Sequence, residues 1–76
     1  MSSSVNRIVN YHINRLKDKR PEIRLEAIRE LELLADPAAL EPLKDLFDAD
    51  SNTEVKKAAQ SAGRSIFLKN QSASSD

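Results

Sequence analysis

The chain contains 76 residues, with equal numbers of acidic and basic side chains and no cysteine. This length suits one domain with a small core, and the lack of cysteine excludes disulfides and thiolate metal sites. No apolar run approaches the ~18 residues of a membrane span and no secretion signal is recognisable, so we expect a cytoplasmic protein that does not act in a membrane.

Two helices are predicted in the first half of the chain. The first runs from about Ser4 to Asp18. The second runs from about Pro21 to Ala35, and Pro21 suits its first position because the missing N–H needs no partner there. Side chains expected to face inward recur at helical spacing along both helices. They are Val5, Val9, His12, Ile13 and Leu16 in the first helix and Ile23, Ala27, Leu31 and Leu34 in the second.

The third predicted helix opens at Asp36 and Pro37, which suit the N-cap and the first helical position. Pro42 conflicts with a regular helix, because an interior proline removes a hydrogen bond and clashes with the preceding turn. We therefore expect a tight or kinked start over residues 38–41. The inward stripe that follows consists of Leu40, Leu43, Leu46 and Phe47.

The fourth predicted helix runs from about Asn52 to Asn70. Ser51 and Glu54 have the spacing of a capping box that would begin it. Gly63, the only glycine, lies beside a narrow inward stripe of mainly small residues, and these together would let another helix approach closely. The stripe consists of Val55, Ala58, Ala59, Ala62 and Ile66.

The second and fourth helices resemble each other at a spacing of 32 residues. The segment Glu22–Arg24 corresponds to Glu54–Lys56, and Ala27 corresponds to Ala59. Such a repeat is expected where one helical hairpin cannot bury its apolar face alone and a similar neighbour covers it.

Short connections between helices produce antiparallel hairpins. The chain is therefore predicted to be all-α, with four helices in two helical hairpins. Residues 4–35 form the first repeat and residues 36–70 the second. Residues 1–3 are expected to be a flexible N-terminus, and the polar, low-complexity residues 71–76 a disordered tail.

These residues resemble HEAT repeats, in particular the short HEAT-like repeats named after phycobilisome lyases. The resemblance covers about Leu16 to Ile66. Three features depart from the pattern: Arg20 where the family often has Asp, Lys56 in place of a second Arg, and no glycine near residues 33–35. The matching positions are Pro21, Ile23, Arg24, Ala27 and Leu31, then Asp36, Pro37, Ala39, Leu40, Pro42 and Leu43, then Asp48, Asp50, Val55, Lys56, Ala58 and Ala59.

The resemblance implies an α-α superhelix of the HEAT and armadillo kind, with protein binding as the usual activity. In such repeats an acid before the second helix commonly pairs with a basic residue on it. On that basis Asp18, Arg24, Asp50 and Lys56 are expected to tie the two hairpins together through charge-assisted bonds. The resemblance also suggests an alternative, an accessory subunit of a phycobilin lyase or a phycobilisome-related system.

The second helices line one surface of the solenoid in this family, and that surface is the expected binding site for another protein. Self-association through the open ends is a further expectation, because two repeats seldom suffice for a stable solenoid and Ile8 and Tyr11 lie on the outer side of the first helix. The candidate partner-binding residues are Leu25, Arg29, Glu32, Lys57, Arg64 and Leu68.

No catalytic, metal or cofactor site is predicted. His12, the only histidine, has no carboxylate three or four positions away to pair with it. The segment Asp48–Asn52 begins like an EF-hand loop, but Thr53 and Ala59 stand where that loop requires Gly and Glu. A domain this small also lacks room for a deep pocket of ~300 Å³ or more. We therefore expect no enzymatic activity.

Nucleic-acid binding through a basic first helix is a weaker alternative. The first 20 residues are net basic, residues 21–50 are net acidic, and the remainder is net basic. The acidic middle, the zero net charge and the three aromatic side chains disfavour contact with phosphates and bases. The basic cluster consists of Arg7, Arg15, Lys17, Lys19 and Arg20.

Overall fold

A computed structural model describes the backbone of residues 3–74 and the side chains of residues 7–71. Most of the predicted flexible N-terminus, Met1 and Ser2, lies outside the described residues, as do Ser75 and Asp76. Within the described range the chain forms four α-helices and one 3₁₀ turn and has no strand, which confirms the all-α prediction. The helices are α1 (Ser3–Arg15), α2 (Pro21–Leu34), α3 (Leu40–Ala49) and α4 (Thr53–Ser74), and the 3₁₀ turn Pro37–Ala39 precedes α3.

The four helices form two stacked hairpins around one core. Helix α1 packs against α2, and α3 packs against α4. The two hairpins meet mainly through α2 and α4. Burial of these apolar side chains is the main stabilising term for the stack. Among the described side chains, the buried ones are Val9, Leu16, Ala27, Ile28, Leu31, Ala39, Leu43, Val55, Ala59, Ala62 and Ile66.

The inward stripe of α2 differs from the predicted one at two positions. Ile28 is buried although it lies outside the stripe, whereas Leu34 is 37% exposed. Both differences arise because α2 packs against α1 on one side and α4 on another, so its buried arc is wider and rotated towards Ile28. A helix packed against only one neighbour would bury a narrower part of its surface.

Helix α2 ends at Ala35 in the left-handed conformation, with φ 53° and ψ 32°. Its N–H donates to the carbonyl of Leu31 at 3.0 Å, which closes the helix as glycine usually does. An alanine here carries a steric cost that glycine avoids. Asn70 holds the same turn from the other hairpin, because its Nδ2 donates to the carbonyl of Ala35 at 3.0 Å.

The start of the second hairpin resolves the conflict at Pro42. Asp36 accepts a hydrogen bond from the N–H of Ala38 at 2.8 Å, and the 3₁₀ turn Pro37–Ala39 then leads into α3 at Leu40. Pro42 therefore lies in the first turn of α3, where an N–H has no partner within the helix. This agrees with the tight start predicted from the sequence.

The predicted capping box of α4 is wrong. Asn52 begins the helix instead, since its Oδ1 accepts the N–H of Val55 at 3.0 Å. Asn52 has the short polar side chain that N-cap positions favour, and no hydrogen bond joins Ser51 to Glu54 within the described residues. At its other end α4 continues to Ser74, past the predicted boundary at Asn70, because Gln, Ser and Ala are compatible with a helix.

Gly63 does not serve the role expected of it. A Cβ built on Gly63 would meet nothing within 4 Å, so no helix approaches α4 closely there. The close packing of α4 depends on Ala59 and Ala62, which are buried against its neighbours.

Candidate protein-binding site

Arg24 and Asp50 connect the two hairpins. Arg24 Nε lies 2.7 Å from Asp50 Oδ2, and Arg24 Nη2 donates a hydrogen bond to Asp50 Oδ1 at 3.2 Å. The Nε–H itself meets no acceptor in hydrogen-bond geometry, so the 2.7 Å contact is an ion pair. The two side chains are only 14% and 5% exposed. Such a pair is little screened by solvent and fixes how one hairpin lies on the other.

The Arg24 guanidinium also binds the loop between α1 and α2 in its own hairpin. Arg24 Nη1 donates to the backbone carbonyls of Asp18 at 2.7 Å and Lys19 at 3.0 Å. These carbonyls follow the end of α1, where unpaired oxygens favour a nearby cation. Arg24 therefore joins three segments: α2, the loop after α1, and the loop before α4.

The Asp18 carboxylate does not reach the second hairpin, contrary to the sequence-based expectation. It accepts the N–H of Arg20 at 2.9 Å and the Nε–H of Arg20 at 3.0 Å. These hydrogen bonds lower the pKa of Asp18 to about 2, and the pKa of Arg20 is raised in return. The reason is local. Arg20 lies only two residues from Asp18, at a position where the family often has Asp, and its guanidinium already pairs with the Asp18 carboxylate.

Lys56 also stays within its own hairpin. Its Nζ donates to the carbonyl of Phe47 at 2.7 Å and lies 5.1 Å from the centre of the Phe47 ring. It thereby satisfies an unpaired carbonyl in the last turn of α3 and adds a cation–π contact. Of the four residues predicted to link the hairpins, only Arg24 and Asp50 contact each other.

The exposed side of α2 and α4 carries most of the predicted partner-binding residues. Lys57, Arg64 and Leu68 are all exposed, and because residues seven and eleven apart return to one side of a helix, they share a strip of α4. Arg29 is exposed on α2, whereas Glu32 is half-buried. Helices α2 and α4 pack side by side, so these strips adjoin.

Leu25 does not belong to this surface. It is partly buried and packs against the core, because its side of α2 turns towards the second hairpin. Leu33 takes its place: it is 72% exposed and lies one turn after Arg29. The sequence signal for Leu33 was its position four residues after Arg29, which places the two side chains on one side of α2. We call the exposed strip of Arg29, Leu33, Lys57, Arg64 and Leu68 the second-helix face.

An apolar groove runs between α3 and α4 on the outer side of the second hairpin. It encloses about 350 Å³, and Phe67 beside it is 52% exposed. Another groove of about 480 Å³ lies along α1 and α3, next to Arg24 and Asp50. Both are open surface grooves, so the expectation that the domain lacks room for a deep pocket of ~300 Å³ or more stays a prediction. The α3–α4 groove is lined by Leu40, Leu43, Lys44, Phe47, Ala59, Gln60, Gly63, Arg64 and Phe67.

Comparison with known protein families decides what this architecture is. The family model of HEAT repeats matches residues 4–63, most of the chain.

This protein belongs to the HEAT-repeat family.

HEAT repeats generally mediate protein–protein interaction and are typically non-enzymatic scaffolds. The match does not single out the phycobilisome-lyase type, which stays a prediction. No curated protein and no solved structure matches this HEAT chain. From Ser3 to Ser74, no helix is long and apolar enough to cross a bilayer.

Several of the remaining polar groups of the HEAT hairpins make structural contacts. In the basic first segment, Arg15 pairs with Glu26 at 3.0 Å and Arg20 pairs with Asp18 at 3.0 Å, so two of the cations suggested for nucleic acid already face carboxylates. His12 lies edge-on to Tyr11, with ring centres 5.0 Å apart, and its Nδ1 is buried without a hydrogen-bond partner. No group of three or more potential metal ligands occurs in the described part of the chain.

Proposed function

We propose that this HEAT repeat protein is an adaptor that binds another protein through the second-helix face. Leu33 and Leu68 carry the proposal, because they are 72% and 53% exposed on adjacent helices, each on the side opposite the buried residues of its helix. An exposed apolar residue by itself is ordinary. Two large ones on neighbouring strips, each beside cations, have the composition of an interface centre with a polar rim.

The charges on this face favour an acidic and apolar partner segment. Lys57 and Arg64 precede Leu68 along the same side of α4, and Arg29 precedes Leu33 on α2. Arginine side chains are frequent anchors where a partner excludes water, and burial of the two leucines would add favourable apolar area. Opposite charge on the partner would raise the association rate and orient it along the two helices.

The experiment is an affinity capture from the native cell followed by a quantitative titration. The double variant Lys57→Glu/Leu68→Asp changes only exposed side chains that do not line the α3–α4 groove, so its helicity should equal that of the wild type. Lys44→Glu on α3 is the matched control, because Lys44 is exposed and lies in the groove, away from Lys57 and Leu68.

A protein captured by the wild type and the control, but not by the double variant, is the predicted partner. In calorimetry with that purified protein, we expect the double variant to bind at least about a hundredfold more weakly. Equal binding by the wild type and the double variant would refute the second-helix face as the site.

A further inference from the structure

We infer that this chain associates head to tail with further copies of itself, the α3–α4 groove of one copy receiving α1 of the next. The proposal starts from the repeat. Arg24 and Asp50 join the first hairpin to the second. At the spacing of 32 residues, Lys56 corresponds to Arg24 and Asp18 corresponds to Asp50. Lys56 is therefore the cation that a following hairpin would meet, and Asp18 the acid that a preceding hairpin would meet.

The local geometry of the two acids supports this correspondence. Asp50 Oδ1 accepts the N–H of Asn52 at 2.8 Å, and Asp18 Oδ1 accepts the N–H of Arg20 at 2.9 Å. Each carboxylate is thus held by the N–H two residues on, at the start of the second helix of its hairpin. Asp50 keeps this bond while it binds Arg24, and Asp18 can likewise keep it. Lys56 of a second copy would share the Asp18 carboxylate with the exposed side chain of Arg20, which donates to both of its oxygens.

The shape of the second hairpin supplies the apolar part of the contact. The α3–α4 groove is lined only by residues of these two helices, so it lies on the side of the hairpin away from α1 and α2. Phe67 is 52% exposed at its edge, and Phe47 lies within it. This is the side that a third hairpin of the solenoid would cover.

The opposite end of the molecule offers the matching side chains. Ile8 and Tyr11 are 47% and 56% exposed and, being three residues apart, share one side of α1. Tyr11 borders a depression formed only by α1 and α2, so it faces away from the second hairpin. Glu30 lies in the same depression, whereas the exposed cation Lys44 lines the groove. Arg15, Glu26 and Arg29 also line the depression, so its charges balance. The match between the two ends therefore lies in their exposed apolar side chains and in a pairing of Glu30 with Lys44.

The proposed contact joins two different surfaces of the chain. An assembly of any length therefore still has one unoccupied α3–α4 groove at one end and one unoccupied α1 surface at the other. Repetition of one such contact builds an open superhelix. The average mass should therefore rise steadily with concentration. Arg64 and Arg29 of the second-helix face also border the groove and the depression. Tyr11 and Phe67 lie outside that face, and Lys57 and Leu68 lie outside the groove and the depression, so variants at these four residues test self-association and partner binding separately.

Sedimentation equilibrium on the full chain tests the inference with three variants. Phe67→Glu blocks one end, and Tyr11→Glu blocks the other. Leu68→Glu is the matched control, since Leu68 adjoins Phe67 and is 53% exposed but faces away from the groove. All three residues are exposed, and circular dichroism checks that helicity is kept.

We expect the mass of the wild type and of Leu68→Glu to rise from micromolar to millimolar concentration, and each blocked variant to stay monomeric. A mixture of the two blocked variants should form one-to-one dimers and nothing larger, because each retains the end that the other lacks. A constant monomer mass for the wild type, or no dimer in the mixture, overturns the inference.

A charge exchange tests the specific contact. Lys56→Glu and Asp18→Lys should each weaken self-association about tenfold, and the two changes in one chain should restore it, because the charges again oppose each other. A merely structural role for either residue would give no such restoration, and its absence would overturn the Lys56–Asp18 contact.

Discussion

Arg24 and Asp50, 26 residues apart in the chain, form a largely buried ion pair across the junction of the two hairpins. The guanidinium also holds the loop that follows α1, and the carboxylate also holds the first residues before α4. One pair of side chains therefore sets the positions of both loops and of the helices that follow them.

The left-handed conformation of Ala35 predicts that Ala35→Gly stabilises the protein. Glycine adopts φ 53° without the steric cost that a Cβ carries, and the family often has glycine near this position. We expect the free energy of unfolding to rise by about 0.5–1 kcal/mol, measured by urea denaturation. A loss of stability would show that the Cβ of Ala35 contributes more packing than it costs in strain.

The opposite substitution, Gly63→Ala, should also be stabilising. Gly63 has a helical φ, and a Cβ there meets nothing within 4 Å. Alanine should therefore raise the free energy of unfolding by about 1 kcal/mol, because it loses less backbone entropy in a helix. The same denaturation experiment measures it, and a destabilised variant would mean that α4 does need the close approach first expected at Gly63.

The hydrogen bonds of Asp18 predict a pH dependence at acid pH. The folded-state pKa of Asp18 is lowered from its ordinary value of 3.8 to about 2, mainly by the side chain of Arg20. A lowered pKa means that the carboxylate favours the folded state above pH 3.8 and that this contribution is lost as the pH falls through about 2. The stability difference between the wild type and Asp18→Asn should shrink over that interval.

Nuclear magnetic resonance of the Asp18 side-chain carboxyl gives the direct measurement. Because Arg20 is the main cause of the shift, Arg20→Ala should return the pKa of Asp18 towards 3.8. A carboxyl that titrates near 3.8 in the wild type would contradict the contact between these two residues.

The helices and the hairpins follow from patterns that a sequence displays, whereas the Arg24–Asp50 contact was expected from the resemblance to HEAT repeats. Apolar spacing, Pro21, Asp36 and a repeat of 32 residues are local signals, and local rules govern helix formation. The tight turn at Pro37–Ala39 was predictable for the same reason, since Pro42 permits few alternatives.

The exact faces of the helices do not follow from those patterns. Leu25 and Leu33 are both leucines of α2, yet Leu25 packs against the core and Leu33 is exposed. The difference depends on the angle at which α4 lies on α2, which side-chain packing across the stack determines. The partners of Asp18 and Lys56 were missed because Arg20 and Phe47 offer nearer contacts than the other hairpin does.

A double-mutant cycle on Arg24 and Asp50 tests most directly whether this pair couples the two hairpins. Arg24→Ala, Asp50→Ala and the double variant are compared with the wild type by urea denaturation. Lys44 and Asp48, 3.6 Å apart and 74% and 58% exposed, form the control pair, for which we expect a coupling below ~0.5 kcal/mol. The account predicts a coupling of about 1–3 kcal/mol for Arg24 and Asp50. A value as small as that of the control pair would contradict it.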